Sequence, residues 1–277
     1  MTIFIVGLGL IGSSYAARFK AKGHRVYGYD KDENTRAKAI ELKLIESGEL
    51  RHLTGADVLI FATYPDAMRA FLEHHHHQLS PHTLLTDVVG VKVPLMTSLL
   101  DVIPQPERYL SHHPMAGKAA SGIEHVDAGL FEGATCVLID EPFQENALKG
   151  VLRTLLEDLG FARFVSLSAE EHDRAIGYVS QLTHAIAGAL MHMEEALLWS
   201  HTAGDSFADL TRIAAMNAPM WTQLFEENHP VLADQLTRFA SELTQLSQLL
   251  QTRNSAQLER YLSEAAHTKA KLEESKK

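Results

Sequence analysis

The chain has 277 residues, 45% of them hydrophobic and 22% charged, which is enough for one large domain or two ordinary ones. Its 35 acidic and 25 basic side chains give a net charge of −10, so we expect neither nucleic acid nor a membrane as a partner. The single cysteine excludes an internal disulfide, and we find no signal peptide and no apolar run of about 20 residues, so we expect a cytoplasmic protein.

Short β-branched or apolar segments alternate with helical patterns over the first 166 residues. This alternation predicts a mostly parallel sheet with helices on both faces. The predicted strands are 2–6, 25–29, 58–62, 83–87, 109–112, 135–139 and 162–166.

A glycine-rich turn with the sequence GLGLIG joins the first predicted strand to the helix that follows it. The order of strand, tight turn, helix and second strand is the context of a Rossmann dinucleotide-binding motif. The first glycine permits the turn, the second lets a pyrophosphate approach the backbone, and the third lets helix and strand pack closely. The helix N-terminus would donate N–H groups to the phosphates. The predicted cofactor residues of this turn are Gly7, Gly9, Leu10, Ile11 and Gly12.

Asp30 ends the second predicted strand, 18 residues beyond Gly12. A carboxylate at this position accepts hydrogen bonds from the ribose hydroxyls and repels a 2′-phosphate, so the predicted cofactor is NAD. Lys31 and Arg36 lie nearby and leave NADP as an alternative. Thr63, directly after the third predicted strand, is also placed in the cofactor site. A glycine turn that binds no nucleotide is the structural alternative.

From about Ser168 onward the pattern changes, and no segment resembles a strand. Apolar residues recur every three or four positions, which is typical of long amphipathic helices. The stripe is clearest at Leu236, Phe239, Leu243, Leu246 and Leu250. We therefore predict an α/β fold with a Rossmann domain over residues 1–167 and an all-helical domain over 168–277, ending in a fraying tail at 269–277. The apolar stripe exposes more surface than one small bundle covers, which predicts a symmetric homodimer.

A second group of functional residues, the sequence SHHPMAG, follows the fifth predicted strand. In doubly wound folds, ligands bind at the carboxyl ends of the strands. A histidine there can accept a proton near neutral pH, which is what removal of hydride from an alcohol requires. Because adjacent residues of an extended segment point to opposite sides, only one of His112 and His113 would face the cofactor.

Several motifs occur in a characteristic order along the chain. They are GLGLIGS at 7–13, Thr86-Asp87, Val91-Lys92, HPMAG at 113–117 with Ser121-Gly122, His172-Asp173, SQLTH at 180–184 and DLTRIA at 209–214. Together they closely resemble the prephenate/arogenate dehydrogenase family of tyrosine biosynthesis. The resemblance implies an NAD(P)-binding Rossmann domain followed by a helical domain that forms the dimer.

The resemblance further implies an oxidative decarboxylation of prephenate to 4-hydroxyphenylpyruvate, or of arogenate to tyrosine. Hydride leaves the carbinol carbon of a cyclohexadienol for NAD+, a base takes the hydroxyl proton, and loss of CO2 makes the ring aromatic. His113 matches the family's catalytic histidine. Arg212 matches the arginine that binds a substrate carboxylate, for which a planar, permanently charged group is well suited. His184 matches a histidine that would contact the substrate.

The chain departs from the family pattern at two places. Gly90 stands where a serine usually hydrogen-bonds the catalytic histidine or the substrate hydroxyl, and glycine has no side chain to do so. Gln181 stands where histidine is usual, and it can hydrogen-bond but cannot titrate. Ser111 and a water molecule are the two candidates to replace the missing hydroxyl. We therefore include Gln181 and Ser111 with Arg212 and His184 among the predicted substrate-binding residues.

Two other functions stay open at this point. One is another β-hydroxyacid dehydrogenase of similar fold, which would use a lysine as its acid and base, although no motif places one. The other is a non-catalytic NAD-binding sensor that kept the fold and lost the serine. For Arg212 the structural alternative is an ion pair with Asp209, three residues earlier on a helix.

Several other polar residues are interpreted as structural. His172 and Asp173 fit the first turn of a helix, where acids interact favourably with the helix dipole. His74 and His77 have helical spacing but lack further ligands, so we expect no metal. Cys136, in the sixth predicted strand, is expected to be buried and inert.

Overall fold

The computed structural model describes residues 1–99, 101–118 and 120–274. Every predicted strand overlaps an observed one. The largest shift concerns the fifth, because residue Tyr109 forms only an isolated parallel bridge with Leu85 and regular pairing starts later. The strands are β1 (Thr2–Val6), β2 (Arg25–Tyr29), β3 (Val58–Phe61), β4 (Leu84–Asp87), β5 (His112–Pro114), β6 (Thr135–Ile139) and β7 (Arg163–Leu167).

The strands form two sheets where the sequence pattern predicted one. Four parallel strands pair in the order β2-β1-β3-β4. The other sheet has the order β5-β6-β7, with β5 antiparallel to β6 and β6 parallel to β7. Because β1 to β4 are all parallel, the segments that follow them meet at one edge. Those segments carry the glycine turn, Asp30, Thr63 and Gly90.

Helices cover both faces of the parallel sheet, as predicted. Alternate residues of β1 belong to two different buried clusters, one containing Ile3 and Ile5 and the other containing Phe4 and Val6. A strand buried on both faces is apolar throughout instead of alternating with polar residues. The helices of this part are α1 (Leu10–Ala21), α2 (Glu33–Glu41), α3 (Pro65–His75), α4 (Val93–Leu99) and α5 (Asn146–Leu159).

After β7 the described residues contain no strand, as the sequence pattern predicted. Helix α6 begins with a capping box, in which the Ser168 hydroxyl accepts from the Glu171 N–H and the Glu171 carboxylate accepts from the Ser168 N–H. One turn of π-helix, Gly177–Gln181, joins α6 to α7. The helices are α6 (Ala169–Ile176), α7 (Leu182–Met191), α8 (Glu195–Leu198), α9 (Asp205–Thr211), α10 (Ala218–Glu227), α11 (His229–Gln251) and α12 (Ser255–Glu274).

Contacts within the chain group residues 1–228 in one compact unit and the residues from His229 onward in a second. The second unit is a pair of helices, α11 and α12, in which the Tyr261 hydroxyl donates to a Glu242 carboxylate oxygen. The domain boundary after residue 167 stays a prediction. Helix α12 extends to Glu274, and residues 275–277 lie outside the described residues, so fraying of the tail stays a prediction. No described helix is both long and apolar enough to cross a membrane.

Candidate active site

His113 lies on β5 with its two ring nitrogens in different surroundings. Its Nδ1 atom is 2.8 Å from Nε2 of His172. Its Nε2 atom faces Gly90, in the segment that follows β4: a Cβ atom built on Gly90 would lie 3.9 Å from that nitrogen. The predicted catalytic histidine is therefore held on one side and faces a glycine on the other.

His172 and Asp173 lie on α6 and hold this arrangement together. The Nδ1 atom of His172 donates to Oδ1 of Asp173 at 2.8 Å. The two oxygens of Asp173 also accept from the backbone N–H groups of Lys92 and Val93, both at 2.8 Å, where α4 begins. Asp173 thus caps one helix while it orients a histidine on another.

The structural role given to His172 and Asp173 from the sequence is incomplete, because it missed this contact with His113. A signal was present in the sequence. Since the capping box begins at Ser168, Glu171 occupies the third helical position. Asp173 therefore lies beyond the first turn, where the helix dipole alone no longer accounts for an acid.

Burial keeps both histidines of this pair neutral. Desolvation lowers the pKa of His113 well below 6.5, and the neighbouring His172, Lys92 and His112 lower it further. Burial also lowers the pKa of His172, and the hydrogen bond with Asp173 offsets part of that effect. A neutral His113 is the form that can accept a proton.

His112 points away from His113, as the alternation of an extended segment predicts. It is fully buried and hydrogen-bonds with the Thr86 hydroxyl at Nδ1, 2.7 Å, and with the Tyr15 hydroxyl at Nε2, 2.9 Å. Burial lowers the pKa of His112 to about 3, and the Lys92 charge contributes. His112 is therefore a core residue.

A buried ion pair lies beneath these histidines. Lys92 and Asp87 are both 0% exposed, and the Lys92 Nζ atom donates to Asp87 Oδ1 at 2.8 Å and to the backbone oxygen of His112 at 2.8 Å. The Tyr109 hydroxyl donates to the other carboxylate oxygen at 2.6 Å. Burial alone would raise the pKa of Asp87, but the Lys92 charge and these hydrogen bonds lower it overall. The pair therefore fixes the backbone that precedes His113.

The glycine turn has the features that a dinucleotide requires. Gly7 has φ +91°, and a Cβ atom there would lie 2.4 Å from the backbone oxygen of Ala62. A Cβ atom on Gly12 would lie 1.9 Å from the Gly7 oxygen, so the close approach of helix and strand requires glycine. Beside Gly9 the space is open, and no side chain of the described residues caps α1, which leaves the first helical N–H groups, including those of Leu10 and Ile11, available to an anion.

The two other predicted cofactor residues lie at the same sheet edge. The Asp30 carboxylate accepts from the backbone N–H of Leu8 at 2.8 Å and from that of Asp32 at 3.0 Å, which fixes it against the glycine turn. Arg36 donates to the backbone oxygen of Asp30 at 2.6 Å. The Thr63 hydroxyl is buried with no hydrogen-bond partner within the described part of the chain, as expected for a group that contacts a ligand.

His184 and Arg212 lie together in the helical part of the same compact unit. The Nδ1 atom of His184 donates to the Ser180 backbone oxygen at 2.8 Å, and its ring stacks on Trp221 with ring centroids 3.7 Å apart. Burial lowers the pKa of His184, and the nearby Arg212 charge contributes. Among the described residues Arg212 forms no ion pair with Asp209 or any other acid, and its side chain is exposed. Arg212 and Nε2 of His184 therefore stay available to a substrate.

Gln181 and Ser111 are placed differently. The Gln181 amide is buried, donating to the Leu224 backbone oxygen at 3.0 Å and accepting from the Asn228 side chain at 2.6 Å, so these contacts anchor α10. Ser111 is 1% exposed and lies beside Asp87 and Tyr109. Substrate contact by either residue stays a prediction.

Comparison with known protein families matches the chain in two consecutive parts. The model described as "Prephenate dehydrogenase, nucleotide-binding domain" matches residues 15–165, and the one described as "Prephenate dehydrogenase, dimerization domain" matches residues 168–264. This chain belongs to the prephenate dehydrogenase family. Membership confirms the resemblance drawn from the motifs, the α/β fold class with its nucleotide-binding part first, and the enzyme class, a dehydrogenase.

Relatives within and around this family cover nearly the whole chain. Prephenate dehydrogenase of Bacillus subtilis is 30% identical over 275 residues, which span 95% of this chain and 74% of that protein. The crystal structure of prephenate dehydrogenase from A. aeolicus in complex with hydroxyphenyl propionate and NAD+ has a TM-score of 0.89, 27% identity and 98% coverage of both chains. Synechocystis arogenate dehydrogenase has a TM-score of 0.85 and 27% identity, covering 98% of this chain and 100% of its own.

In this member of the prephenate dehydrogenase family, Gly90 has room for a larger side chain. A Cβ atom there would be 3.5 Å from a Leu224 methyl group and 3.8 Å from Cε1 of His113, which are ordinary van der Waals distances. The glycine is therefore not required by the packing around it.

The remaining candidates lie outside the site. Within the described residues, no three His, Cys, Asp or Glu side chains are arranged to hold a metal ion. His74 and His76 instead hydrogen-bond the backbone of α3. Cys136 is buried as a free thiol, as expected, and burial raises its pKa to about 12.

Proposed function

We propose that this protein catalyses the NAD+-dependent oxidative decarboxylation of prephenate or arogenate, in the cytoplasm, as a step of tyrosine biosynthesis. The observation that carries the proposal is the environment of His113: a half-buried histidine whose pKa is held well below 6.5 by desolvation and neighbouring positive charge, and whose Nε2 atom faces the segment after β4. A base in that position suits removal of a proton from a substrate hydroxyl. Relatives named for either substrate support the reaction class.

The residues at the sheet edge support NAD+ as the cofactor. Gly9 leaves open space over the uncapped start of α1, where the pyrophosphate would be bound by backbone N–H groups. Asp30 would accept hydrogen bonds from the ribose hydroxyls, and the unpartnered Thr63 hydroxyl would contact the cofactor. When bound, NAD+ supplies the acceptor for the hydride.

His113 would take the hydroxyl proton on Nε2 as the carbinol carbon is oxidised. Arg212, exposed and free of any ion pair in the described residues, would bind a substrate carboxylate. His184, held by Ser180 and Trp221, would offer Nε2 to the substrate. Loss of CO2 makes the ring aromatic, so the protein has chiefly to position the substrate and hold the proton.

One panel of substrates tests this proposal. The purified protein is mixed with NAD+ and, in separate reactions, prephenate, arogenate and a 3-hydroxy acid, and NADH formation is followed by absorbance. Turnover of prephenate or arogenate supports the proposal and decides between the two substrates. Turnover of the 3-hydroxy acid alone would identify a β-hydroxyacid dehydrogenase, and tight NAD+ binding with no turnover would identify a sensor; either result would overturn it.

We also propose that the protein is a homodimer. The family's dimerization domain, which matches residues 168–264, includes helix α11. On α11, Leu236, Leu243 and Leu250 are seven residues apart and all exposed in the single chain. A seven-residue apolar repeat on one helix face is the pattern that pairs with another helix.

A further inference from the structure

Two side chains link His113 to the start of helix α4. His113 Nδ1 lies 2.8 Å from His172 Nε2, and His172 Nδ1 lies 2.8 Å from Asp173 Oδ1. The Asp173 carboxylate is held in turn by the backbone N–H groups of Lys92 and Val93, where α4 begins. The chain of contacts therefore ends on fixed backbone and not on a mobile side chain.

The donor and acceptor of each contact follow from the carboxylate. An ionised carboxylate only accepts hydrogen bonds, so the proton between His172 and Asp173 belongs to His172 Nδ1. A neutral imidazole carries one proton, which leaves His172 Nε2 as an acceptor. The proton between the two histidines then belongs to His113 Nδ1, and His113 Nε2 keeps its lone pair.

We propose that His172 and Asp173 are positioning residues that hold His113 in the tautomer protonated at Nδ1, so that Nε2 is the proton acceptor of the reaction. The kinetic part of this inference rests on the proposed function, whereas the tautomer can be observed without any substrate.

The same contacts stabilise the state that follows proton transfer. When His113 accepts a proton on Nε2 it becomes a cation in a buried site, which burial disfavours. Its Nδ1–H bond to His172 becomes charge-assisted, and the Asp173 carboxylate lies one imidazole further on. The Lys92 charge nearby opposes this cation, but Asp87 neutralises Lys92 at 2.8 Å.

Two substitutions of His172 separate positioning from mere packing. Asparagine places an amide where His172 Nδ1 lies, so His172→Asn keeps a donor for Asp173 and loses the acceptor for His113. Glutamine places an amide where Nε2 lies, so His172→Gln keeps the acceptor for His113 and loses the bond to Asp173.

We expect His172→Asn to lower kcat by about 10–100-fold, the range found for partners that orient metal-bound histidines, with KM changed far less. His172→Gln should retain a several-fold higher kcat than His172→Asn. The reverse order, with His172→Asn the more active variant, would mean that only the contact with Asp173 matters and would overturn the proposal. Ser168→Ala is the control: it removes the cap of α6, lowers thermal stability and should leave kcat unchanged.

The tautomer itself is measured on the wild-type protein labelled with 15N-histidine. His113→Asn identifies the His113 signals by their absence among those of the 16 histidines. We expect the proton on Nδ1 and an unprotonated Nε2 at neutral pH. A His113 protonated at Nε2 would overturn the inference even if the enzyme proved active, and Nδ1 protonation in an enzyme without turnover would leave the tautomer established and the proposed function wrong.

Discussion

Gly90 offers no side chain to the Nε2 atom of His113, although a Cβ atom at position 90 would sit at ordinary contact distance, 3.9 Å from that nitrogen. The space is bounded by Leu224 of α10. The Cβ atom of a serine would therefore fit without displacing the backbone, and we expect its hydroxyl to hydrogen-bond the proton-accepting side of the ring. The absence of a hydroxyl at position 90 thus changes the chemistry of the site, and the packing does not require a glycine there.

We expect Gly90→Ser to fold normally and to raise kcat by up to about tenfold, since one added hydrogen bond contributes about 0.5–1.5 kcal/mol. Gly90→Ala, which fills the same space without a hydroxyl, is the matched control and should leave kcat within about twofold, a free-energy difference of about 0.4 kcal/mol. Steady-state kinetics and thermal unfolding check both variants. Equal gains from alanine and serine would show that filled space, not the hydroxyl, is responsible.

His113→Asn should lower kcat by about 10²–10⁴-fold with a smaller change in KM, because it removes the base and keeps a polar side chain.

The base must be neutral to act, so kcat/KM should rise with pH as His113 of the free enzyme loses its proton. Since burial lowers the pKa of His113 well below 6.5, the rise belongs in the acid range and kcat/KM should be flat from pH 6.5 upward. A midpoint above pH 6.5 that disappears in His113→Asn would contradict the described environment.

Local patterns in the sequence were sufficient for the strands and the glycine turn, whereas the choice of His113 over His112 came from the family resemblance and stays a prediction. Strand β1 is apolar at every position because both its faces are covered, the turn at Gly7 has a positive φ, and Gly12 lies against the backbone oxygen of Gly7 five residues earlier. Such features depend on neighbours along the chain. They can therefore be recognised from spacing and residue type alone.

The contacts that orient His113 could not be recognised in this way. Asp173 accepts from the backbone of Lys92, 81 residues earlier, and this pairing depends on how α6 packs against α4. Gln181 likewise forms hydrogen bonds with Leu224 and Asn228, more than 40 residues later in the chain, and these contacts could not be read from the sequence. Contacts between residues so far apart in the sequence produce no periodic pattern along the chain.

Asp30 should make the wild-type protein prefer NAD+ over NADP+ by at least about tenfold in kcat/KM, equivalent to about 1.4 kcal/mol, because a 2′-phosphate would meet its negative charge. Asp30→Ser should reduce this preference, bringing the kcat/KM values for NAD+ and NADP+ closer together. Asp30→Asn is the informative control, since it removes the charge while an amide oxygen can still accept from Leu8. Equal use of both cofactors by the wild type would show that Asp30 does not face the ribose.

The effects of substituting Lys92 and Asp87 on the free energy of unfolding should depend strongly on each other. Lys92→Met leaves an unpaired buried carboxylate and should lower the free energy of unfolding by about 3–5 kcal/mol, measured in urea. Adding Asp87→Asn should recover part of that loss. Lys149→Met is the control, because the Lys149–Asp140 pair is partly exposed and should contribute at most about 1 kcal/mol.

The ion pair of Lys92 and Asp87 should also make the stability of the fold depend on pH in a defined direction. The pKa of Asp87 is lowered in the folded state, so its contribution to stability is present above its ordinary value of 3.8 and is lost as pH falls through the folded-state value. Acid unfolding of Asp87→Asn should therefore be less steep than that of the wild type. If the variant and the wild type unfolded identically in acid, the interaction of Asp87 with Lys92 would contribute nothing to stability.

Leu243→Glu should convert the proposed dimer to a monomer. Leu236, Leu243 and Leu250 lie on one face of α11 and are 38%, 52% and 56% exposed in the single chain. Because each leucine is already about half-buried, covering it with a second copy contributes about 0.7–1.5 kcal/mol, whereas a buried, unpaired glutamate opposes association. Light scattering at micromolar concentration should give twice 30.7 kDa for the wild type and a value near 30.7 kDa for the variant. Gln245→Glu adds the same charge on the opposite side of the helix, so this control variant should stay dimeric. A wild-type protein with the mass of one chain would refute the proposed dimer, because no second copy would then cover the exposed leucines.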